Sequence, residues 1–305
     1  MANISAKDVQ ALRERTGVGM MKCKEALVAT EGDLEKAVTF LREQGLAVAA
    51  KKASRIAAEG IISLYNENNV GVLVEVNSET DFVAKNPTFK EFADGIAKVV
   101  AENNPADVAA LLDMKFPGSD LTVEDMRKEK ILVIGENINI RRFVIIENAA
   151  ASYIHGKGNI GVVVTTDKII DNPAFAEAAK NACLQAAAMK PQYLNPEAVP
   201  AEAVENEKGI IESQIKNDEK NAKKPEQVIA KMVEGKLRKF FSTCCLTEQE
   251  YVKDSSMTVG KYIASVAKEI GEEFTLSGFV MYEKGEGLEK KEDNFAEEIA
   301  KLTGK

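Results

Sequence analysis

The chain is poor in the residues that most often carry enzymatic chemistry. Its 305 residues contain one histidine and four cysteines, and no two cysteines have the C-x-x-C spacing of a metal or redox pair. The motifs of P-loop nucleotide binding, of zinc proteases and of α/β-hydrolase nucleophiles are all missing. We therefore expect a protein that is not an enzyme, that holds neither a cofactor nor a metal ion, and that does not bind nucleotide directly.

Long apolar runs and an excess of positive charge are also missing. No apolar stretch approaches the ~20 residues that span a bilayer, and residues 1–10, MANISAKDVQ, lack the pattern of a secretion signal. The net charge of −8 disfavours nucleic acid as a ligand, because phosphate binding needs clustered lysine and arginine. The length predicts two or three domains. We expect a cytoplasmic protein that contacts neither membrane nor nucleic acid.

The first part of the chain has the apolar spacing of helices. Apolar residues recur at intervals of three and four in three short segments within residues 4–44, and the segments are broken at Thr16-Gly17 and at residues 30–33. Residues Leu46–Ile56, rich in alanine and lysine, predict a helical connector. Residues 1–55 are therefore expected to form a compact three-helix bundle together with its connector.

An internal duplication follows the bundle. Residues 69–77, NVGVLVEVN, are similar to residues 159–167, NIGVVVTTD, and an Asn-Pro pair starts a helix soon after each, at Pro87 and at Pro173. Alternating apolar residues before each helix indicate strands. Each repeat is therefore expected to form a β-hairpin with a packed helix, which gives an α+β fold. The predicted first repeat spans residues 56–148, and the second spans residues 149–197 and 241–285.

The two repeats differ between strand and helix. The first carries eight residues there, Ser78–Lys85, and the second carries four, Lys168–Asp171. In the longer segment Thr80 is a good N-cap, Asp81 suits the positive end of a helix, and Phe82 places a large ring beside that carboxylate. Requirements of the scaffold should be shared by both repeats, so an addition to one repeat is a candidate binding site. The alternative is that Phe82 packs into its own core and Asp81 only caps a helix.

Two charged helical segments interrupt the second repeat between residues 198 and 240. They cover Ala198–Asn221 and Pro225–Phe240, and the proline marks a helix start, which predicts an antiparallel helical hairpin. Its apolar stripe either joins the two helices or presents a face for self-association. The stripe consists of Val204, Ile211, Ile215, Val228, Ile229, Met232 and Val233. A strand at Phe274–Tyr282 and a terminal helix at Glu292–Leu302, within residues 286–305, are expected to close the chain.

Three segments resemble signatures of a known family. They are residues 75–85 (EVNSETDFVAK), residues 12–27 (LRERTGVGMMKCKEAL) and residues 134–142 (IGENINIRR). All three are similar to motifs of the elongation factor Ts family, the nucleotide-exchange partners of the translational GTPase elongation factor Tu. The resemblance implies a guanine-nucleotide exchange factor that binds elongation factor Tu with GDP, disturbs its Mg²⁺ and phosphate site, and promotes GDP release. It also implies a ubiquitin-associated fold for the N-terminal bundle.

The resemblance further implies roles for individual residues. In the segment Thr80, Asp81, Phe82 and Val83, the phenylalanine acts as a wedge beside the partner's Mg²⁺ site, and the aspartate disturbs the polar network that supports the metal. The residues expected to dock on the partner are Arg13, Met20, Met21, Lys24, Ile134, Gly135 and His155. From the residues alone, His155 is equally well a simple turn residue. The N-terminal bundle also leaves open a second function, that of a non-catalytic adaptor of the ubiquitin-associated type.

Overall fold

The computed structural model describes residues 4–218, 221 and 224–289. They form helices and antiparallel sheets, which confirms the predicted α+β class. The helices are α1 (Ala6–Thr16), α2 (Met20–Ala29), α3 (Leu34–Lys52), α4 (Asp81–Ala84), α5 (Pro87–Asn103), α6 (Val108–Leu112), α7 (Val123–Ile134), α8 (Pro173–Met189), α9 (Ala201–Asn217), α10 (Glu226–Cys244) and α11 (Val259–Ile270). The strands are β1 (Glu59–Glu67), β2 (Val70–Ser78), β3 (Ile138–Glu147), β4 (Ala149–His155), β5 (Ile160–Thr166), β6 (Glu250–Tyr251), β7 (Asp254–Thr258) and β8 (Leu276–Glu283). The helix predicted at Glu292–Leu302 lies outside the described residues.

Helices α1, α2 and α3 share one small core. Helix α1 begins after Ser5, which forms a capping box with Asp8, and ends at Gly17. The third helix continues to Lys52, so the helical connector predicted at Leu46–Ile56 is helical over its first seven residues, which are continuous with α3. The helix continues because Gly45, the only glycine in it, is buried against Leu132 of α7 and leaves the helix unbroken.

Two three-stranded antiparallel sheets form the centre of the molecule. The first has the order β1-β2-β3 and the second has the order β4-β5-β8. Each sheet therefore contains the predicted hairpin and also a third strand that arrives from later in the chain. Helix α5 covers the first sheet and α8 covers the second, and each begins at the Asn-Pro pair.

The two sheets pack face to face through matching glycines. A Cβ atom on Gly71 would lie 2.9 Å from a methyl group of Val163, and one on Gly161 would lie 2.9 Å from a methyl group of Leu73. Because Leu73 and Val163 occupy equivalent positions of the two repeats, the contact is reciprocal. Each central strand is thus buried on both faces, by a helix on one side and by the other sheet on the opposite side.

The inserted helices α9 and α10 pack on each other through Ile211, Ile215 and Val233, which are all buried. The apolar stripe therefore joins the two helices, although Val228 from the same predicted stripe remains exposed. The chain then returns to the second sheet through the short β6-β7 ribbon and α11, which the sequence analysis did not predict. Buried amides attach this ribbon to α8: Gln185 accepts a hydrogen bond from the Val252 N–H at 3.0 Å and donates to the Glu250 carbonyl at 3.1 Å.

Candidate partner-binding site

Phe82 lies on the surface and not in the core. After β2 the chain turns at Thr80, whose hydroxyl oxygen accepts a hydrogen bond from the Val83 N–H at 3.4 Å and caps the short helix α4. Val83 fills the inward position of α4 and is buried, whereas the side chain of Phe82 is 80% exposed. The alternative that Phe82 packs into its own core is therefore wrong. The physical reason is that Val83 and Ala84 occupy the side of α4 that packs on the core, which leaves Phe82 on the outer side.

Asp81 forms an ion pair with Lys85, one turn later, at 2.5 Å. The hydrogen bond from Lys85 holds the pKa of Asp81 below its ordinary value. Desolvation opposes this shift, and the charges of Lys85 and Lys284 add to it. The Lys85 ammonium also lies 5.7 Å from the centre of the Phe82 ring. The exposed face of α4 thus presents an apolar ring next to an ionised carboxylate and its lysine partner.

The turn that follows α7 holds the start of α4. The carboxylate of Glu136 accepts hydrogen bonds from the Thr80 N–H at 2.9 Å and from the Thr80 hydroxyl at 2.7 Å. The predicted docking residues Ile134 and Gly135 lie immediately before Glu136, the first half-buried and the second exposed. Gly135 has a φ of +85° and ends α7, a left-handed conformation in which glycine is favoured. The structure therefore brings Ile134 and Gly135 next to the Thr80–Val83 segment.

Helix α2 presents a second exposed apolar surface. Met21 is 70% exposed, Val28 is 60% exposed, and Met20 is also largely accessible to solvent. The predicted basic residues Arg13, on α1, and Lys24, on α2, are exposed as well. Exposed apolar side chains on one short helix, with basic residues nearby, are typical of a surface that contacts another protein.

The two surfaces are attached to the same short segment, residues 133–137. Gly17, which precedes α2, packs against Val133, with its Cβ position 3.8 Å from the Val133 methyl groups. The Lys52 ammonium at the end of α3 donates a hydrogen bond to the Gly135 carbonyl. Glu136 then binds Thr80, as described above. The N-terminal bundle and the Phe82 segment are therefore connected through the end of α7.

His155 ends β4 and is exposed. Its Nδ1 lies 3.1 Å from the Tyr153 hydroxyl, and the turn that follows packs on β1, where the Gly158 carbonyl accepts a hydrogen bond from the Ile62 N–H at 2.7 Å. The Asn159 carbonyl in the same turn accepts from the Lys284 N–H at 2.9 Å. The positive charge of Lys284 also helps to lower the pKa of Asp81. Lys284 therefore lies close both to the turn after His155 and to the Asp81 carboxylate.

In the part of the chain that the structure describes, the cysteines and acidic residues do not form a metal-binding or reactive centre. Within the described residues no group of three or more His, Cys, Asp and Glu side chains is arranged to hold a metal ion. All four cysteines are buried and unpaired, and burial raises the pKa of Cys183 and of Cys245 to about 12. A thiol with that pKa is protonated at neutral pH and is a poor nucleophile. No helix in the described part of the chain is long and apolar enough to cross a membrane.

The comparisons with known proteins agree on one family. A model of the family described as elongation factor TS matches residues 79–286. Elongation factor Ts of Syntrophotalea carbinolica is 48% identical over 98% of this chain and 99% of its own length. Elongation factor Ts of Clostridium botulinum strain Alaska E43 is 46% identical over 99% of this chain and 100% of its own length. That of Symbiobacterium thermophilum is also 46% identical, over 100% of this chain and 99% of its own length. The chain belongs to the elongation factor Ts family.

Membership of the elongation factor Ts family makes the chain a translation elongation factor, with protein biosynthesis as its process. The part that matches the family model begins at Glu79, one residue before Thr80, and includes Glu136 and His155. The N-terminal bundle precedes that match but lies within the part covered by the full-length relatives.

The sequence analysis of this elongation factor Ts family member did not identify two residues, one on the exposed surface of α2 and one beside α4. Val28 is seven residues after Met21 and four after Lys24, so helical spacing alone would have added it to the exposed face of α2. Glu136 has no comparable local signal, because its partner Thr80 is 56 residues away in the chain. Only the packing of α7 against the sheet brings these two residues together.

Proposed function

We propose that this chain binds a GTPase of the elongation factor Tu type in its GDP-bound form and accelerates the release of GDP during translation elongation. The observation that carries the proposal is the exposed ring of Phe82, held on a capped helix beside an ionised carboxylate. Leaving such a ring in water forgoes roughly 1.5–3 kcal/mol of burial free energy. A partner that covers the ring recovers that free energy, which gives the exposed position a function.

The mechanism of the proposal is thermodynamic linkage. The factor binds a form of the GTPase that holds Mg²⁺ and GDP weakly, so factor binding lowers the affinity for GDP. By linkage, GDP lowers the affinity for the factor by the same free energy. A thousandfold acceleration requires about 4 kcal/mol. Because burial of Phe82 supplies less than that, the docking contacts must contribute the rest. This arrangement needs no nucleotide contact and no chemical reaction by the factor itself.

In this mechanism Phe82 is the wedge beside the Mg²⁺ site, and Asp81 exchanges Lys85 for polar groups of the GTPase that support the metal. Thr80 and Val83 hold α4 in place. The docking contacts come from Arg13, Met20, Met21, Lys24, Ile134, Gly135 and His155, and we add Val28 because it is exposed on the same helix as Met21. The ubiquitin-associated fold of the helical bundle within residues 1–55, a cytoplasmic location and self-association through the α9-α10 hairpin belong to the same proposal.

The test is the release of fluorescently labelled GDP from purified elongation factor Tu with and without this chain. An exchange factor raises the release rate in proportion to its concentration until the rate saturates. An adaptor of the ubiquitin-associated type, the alternative suggested by the N-terminal bundle, leaves the rate unchanged. The family match over nearly the full length supports the exchange factor, since an adaptor function would draw on the bundle alone.

A further inference from the structure

We propose that Glu136 is a positioning residue for nucleotide exchange. Its carboxylate fixes the start of α4 and thereby the direction in which Phe82 points toward the GTPase. The inference rests on the proposed function, because it takes Phe82 as the group that is inserted. It assigns a role to the turn between α7 and β3, which lies far from Phe82 in the chain.

The contact between Glu136 and Thr80 uses both oxygens of the carboxylate. One accepts the Thr80 N–H at 2.9 Å and the other accepts the Thr80 hydroxyl at 2.7 Å. With its hydrogen donated to Glu136, the hydroxyl oxygen is free to accept the Val83 N–H, which caps α4. Hydrogen bonds to an ionised acceptor are stronger than neutral ones. A helix of one turn cannot hold itself in water, so the orientation of α4 depends on this contact together with the buried Val83.

The second repeat shows which contacts belong to the scaffold. Ser78 pairs with Ile138 at the end of the first sheet, and Thr166 pairs with Leu276 at the equivalent point of the second. The next residue is acidic in both repeats and accepts the N–H that precedes the third strand. Glu79 accepts from Asn137 at 2.6 Å, and Asp167 accepts from Thr275 at 2.8 Å. That contact is shared and therefore structural.

The position of Glu136 is not shared between the repeats. Counting back from the paired strand ends, its equivalent in the second repeat is Phe274, which is buried against Phe175 with ring centres 4.8 Å apart. A carboxylate thus stands in the first repeat where the second has a core residue, and the first repeat is the one that carries α4 and Phe82. The difference points to a role in holding α4 and not in building the sheet.

Glu136 is also attached to the N-terminal bundle. The carbonyl of Gly135, its neighbour, accepts a hydrogen bond from Lys52 at the end of α3. The Arg55 carbonyl accepts one from the Asn137 side chain at 2.9 Å. The end of α3 and the turn that follows it therefore contact both neighbours of Glu136. Docking of α2 and orientation of Phe82 are mechanically connected at this turn.

The first experiment measures exchange kinetics with the full-length chain and elongation factor Tu. The variant Glu136→Gln keeps the shape of the side chain but can accept only one of the two hydrogen bonds. We expect the maximal rate of GDP release to fall about tenfold, with a change of less than about twofold in the half-saturating concentration. The matched control is Asp167→Asn, which weakens the shared contact in the second repeat. It should lower the melting temperature and leave the maximal rate unchanged.

The second experiment measures the orientation of α4 without the partner. The chain contains no tryptophan, so Phe82→Trp introduces a single tryptophan at the site, which can be excited apart from the tyrosines. Time-resolved anisotropy should show more rapid local motion of this tryptophan when Glu136→Gln is added, and no change when Asp167→Asn is added. A third variant, Thr80→Val, removes the hydroxyl and should reduce the maximal rate in the same way. Combined with Glu136→Gln it should cause a smaller loss than the two single losses multiplied together, because both variants remove the contact between Glu136 and Thr80.

The outcomes separate the two proposals. If the parent chain accelerates GDP release and Glu136→Gln does so at the same maximal rate, the positioning role is wrong. The role is equally wrong if Asp167→Asn lowers the maximal rate as much as Glu136→Gln, or if the loss follows only the fraction of unfolded protein. If the parent chain does not accelerate release at all, the proposed function fails, and the role of Glu136 in exchange fails with it. The anisotropy then still reports whether Glu136 orders α4.

Discussion

The two repeats of this molecule have the same scaffold but differ in the segment between the central strand and the helix that follows it. Both contain three antiparallel strands, a helix that starts at an Asn-Pro pair, and a glycine that receives a side chain of the other sheet. Between the central strand and that helix, the first repeat adds α4 with Phe82, whereas the second contains no helix at the corresponding place. The comparison teaches that residues common to both repeats build the fold, and that residues present in one repeat are the candidates for function.

The repeats also differ inside the sheets. Glu75 in the first repeat is fully buried and receives hydrogen bonds from Arg142 at 2.7 Å and from Arg141 at 3.0 Å. The N–H of Gly285, just after β8, donates to it at 2.8 Å. The equivalent residue in the second repeat is Thr165, which accepts a hydrogen bond from the Ser277 hydroxyl at 2.9 Å. The buried carboxylate therefore links the first sheet to the end of the second.

We expect the largest effect on stability from Glu75→Gln. Loss of the negative charge leaves the two arginines without their buried counterion, which should reduce the free energy of unfolding by about 3 kcal/mol. Thr165→Val removes one partly exposed hydrogen bond and should cost about 1 kcal/mol or less. Denaturant unfolding at pH 7 measures both values. Equal losses would show that the buried charge has no special role in joining the sheets.

The pH dependence gives an independent check on Glu75. Burial raises its pKa, but the hydrogen bonds from Gly285, Asn77, Arg142 and Arg141 lower it by more, so the pKa lies below its ordinary value. A lowered pKa in the folded state means that the ionised group stabilises the fold above its unfolded pKa of about 4.3. This stabilisation is lost as the pH falls through the folded value. Between pH 7 and pH 3 the Glu75→Gln variant should therefore lose less stability than the parent chain.

The next effect concerns the residue that only the first repeat has. Phe82→Ala should lower the maximal rate of GDP release from elongation factor Tu about a hundredfold, the equivalent of losing the burial of one ring. Because the ring is exposed, the melting temperature should change by less than about 2 °C. The matched control is Ile169→Ala, the exposed apolar residue at the corresponding corner of the second repeat, 37% exposed. A similar loss of rate for both variants would remove the distinction between the repeats.

A smaller effect is expected where the repeats agree. Gly71→Ala and Gly161→Ala each place a methyl group into the contact between the sheets, and each should reduce stability by about 1–3 kcal/mol. Gly161→Ala should cost more, because its Cβ would lie 2.5 Å from a methyl group of Ile62, against 2.9 Å from Val163 for Gly71. Thermal and denaturant unfolding test the order. Loss of stability in only one variant would contradict the reciprocal packing.

The smallest effect separates docking from insertion. Met21→Ala combined with Val28→Ala removes apolar surface from α2, outside both repeats. The half-saturating concentration for GDP release should rise about fivefold, because each exposed contact contributes on the order of 1 kcal/mol or less. The maximal rate should stay within about twofold of the parent, since Phe82 is untouched. The control is Val252→Ala in the β6-β7 ribbon, also largely exposed, which should change neither value.

Much of the local structure is determined by the sequence. Asn86 and Asn172 cap α5 and α8 with their side chains, and the prolines that follow them mark the same helix starts in the sequence. Thr80 caps α4 as its residue type suggests. Caps and periodicity act over a few residues, so they can be recognised without knowledge of the fold. The family resemblance rests on the same kind of signal, because its motifs are short continuous segments.

Other features were decided only by the tertiary structure. The third strand of each sheet, the attachment of Glu136 to Thr80 and the exposure of Phe82 depend on elements far apart in the chain. Whether an apolar side chain lies in the core depends on which side of its helix faces the sheet. On α4 this side carries Val83 and not Phe82. The sequence thus determined which residues start and end the elements, and the packing of two similar sheets determined which of those residues remained exposed on the surface.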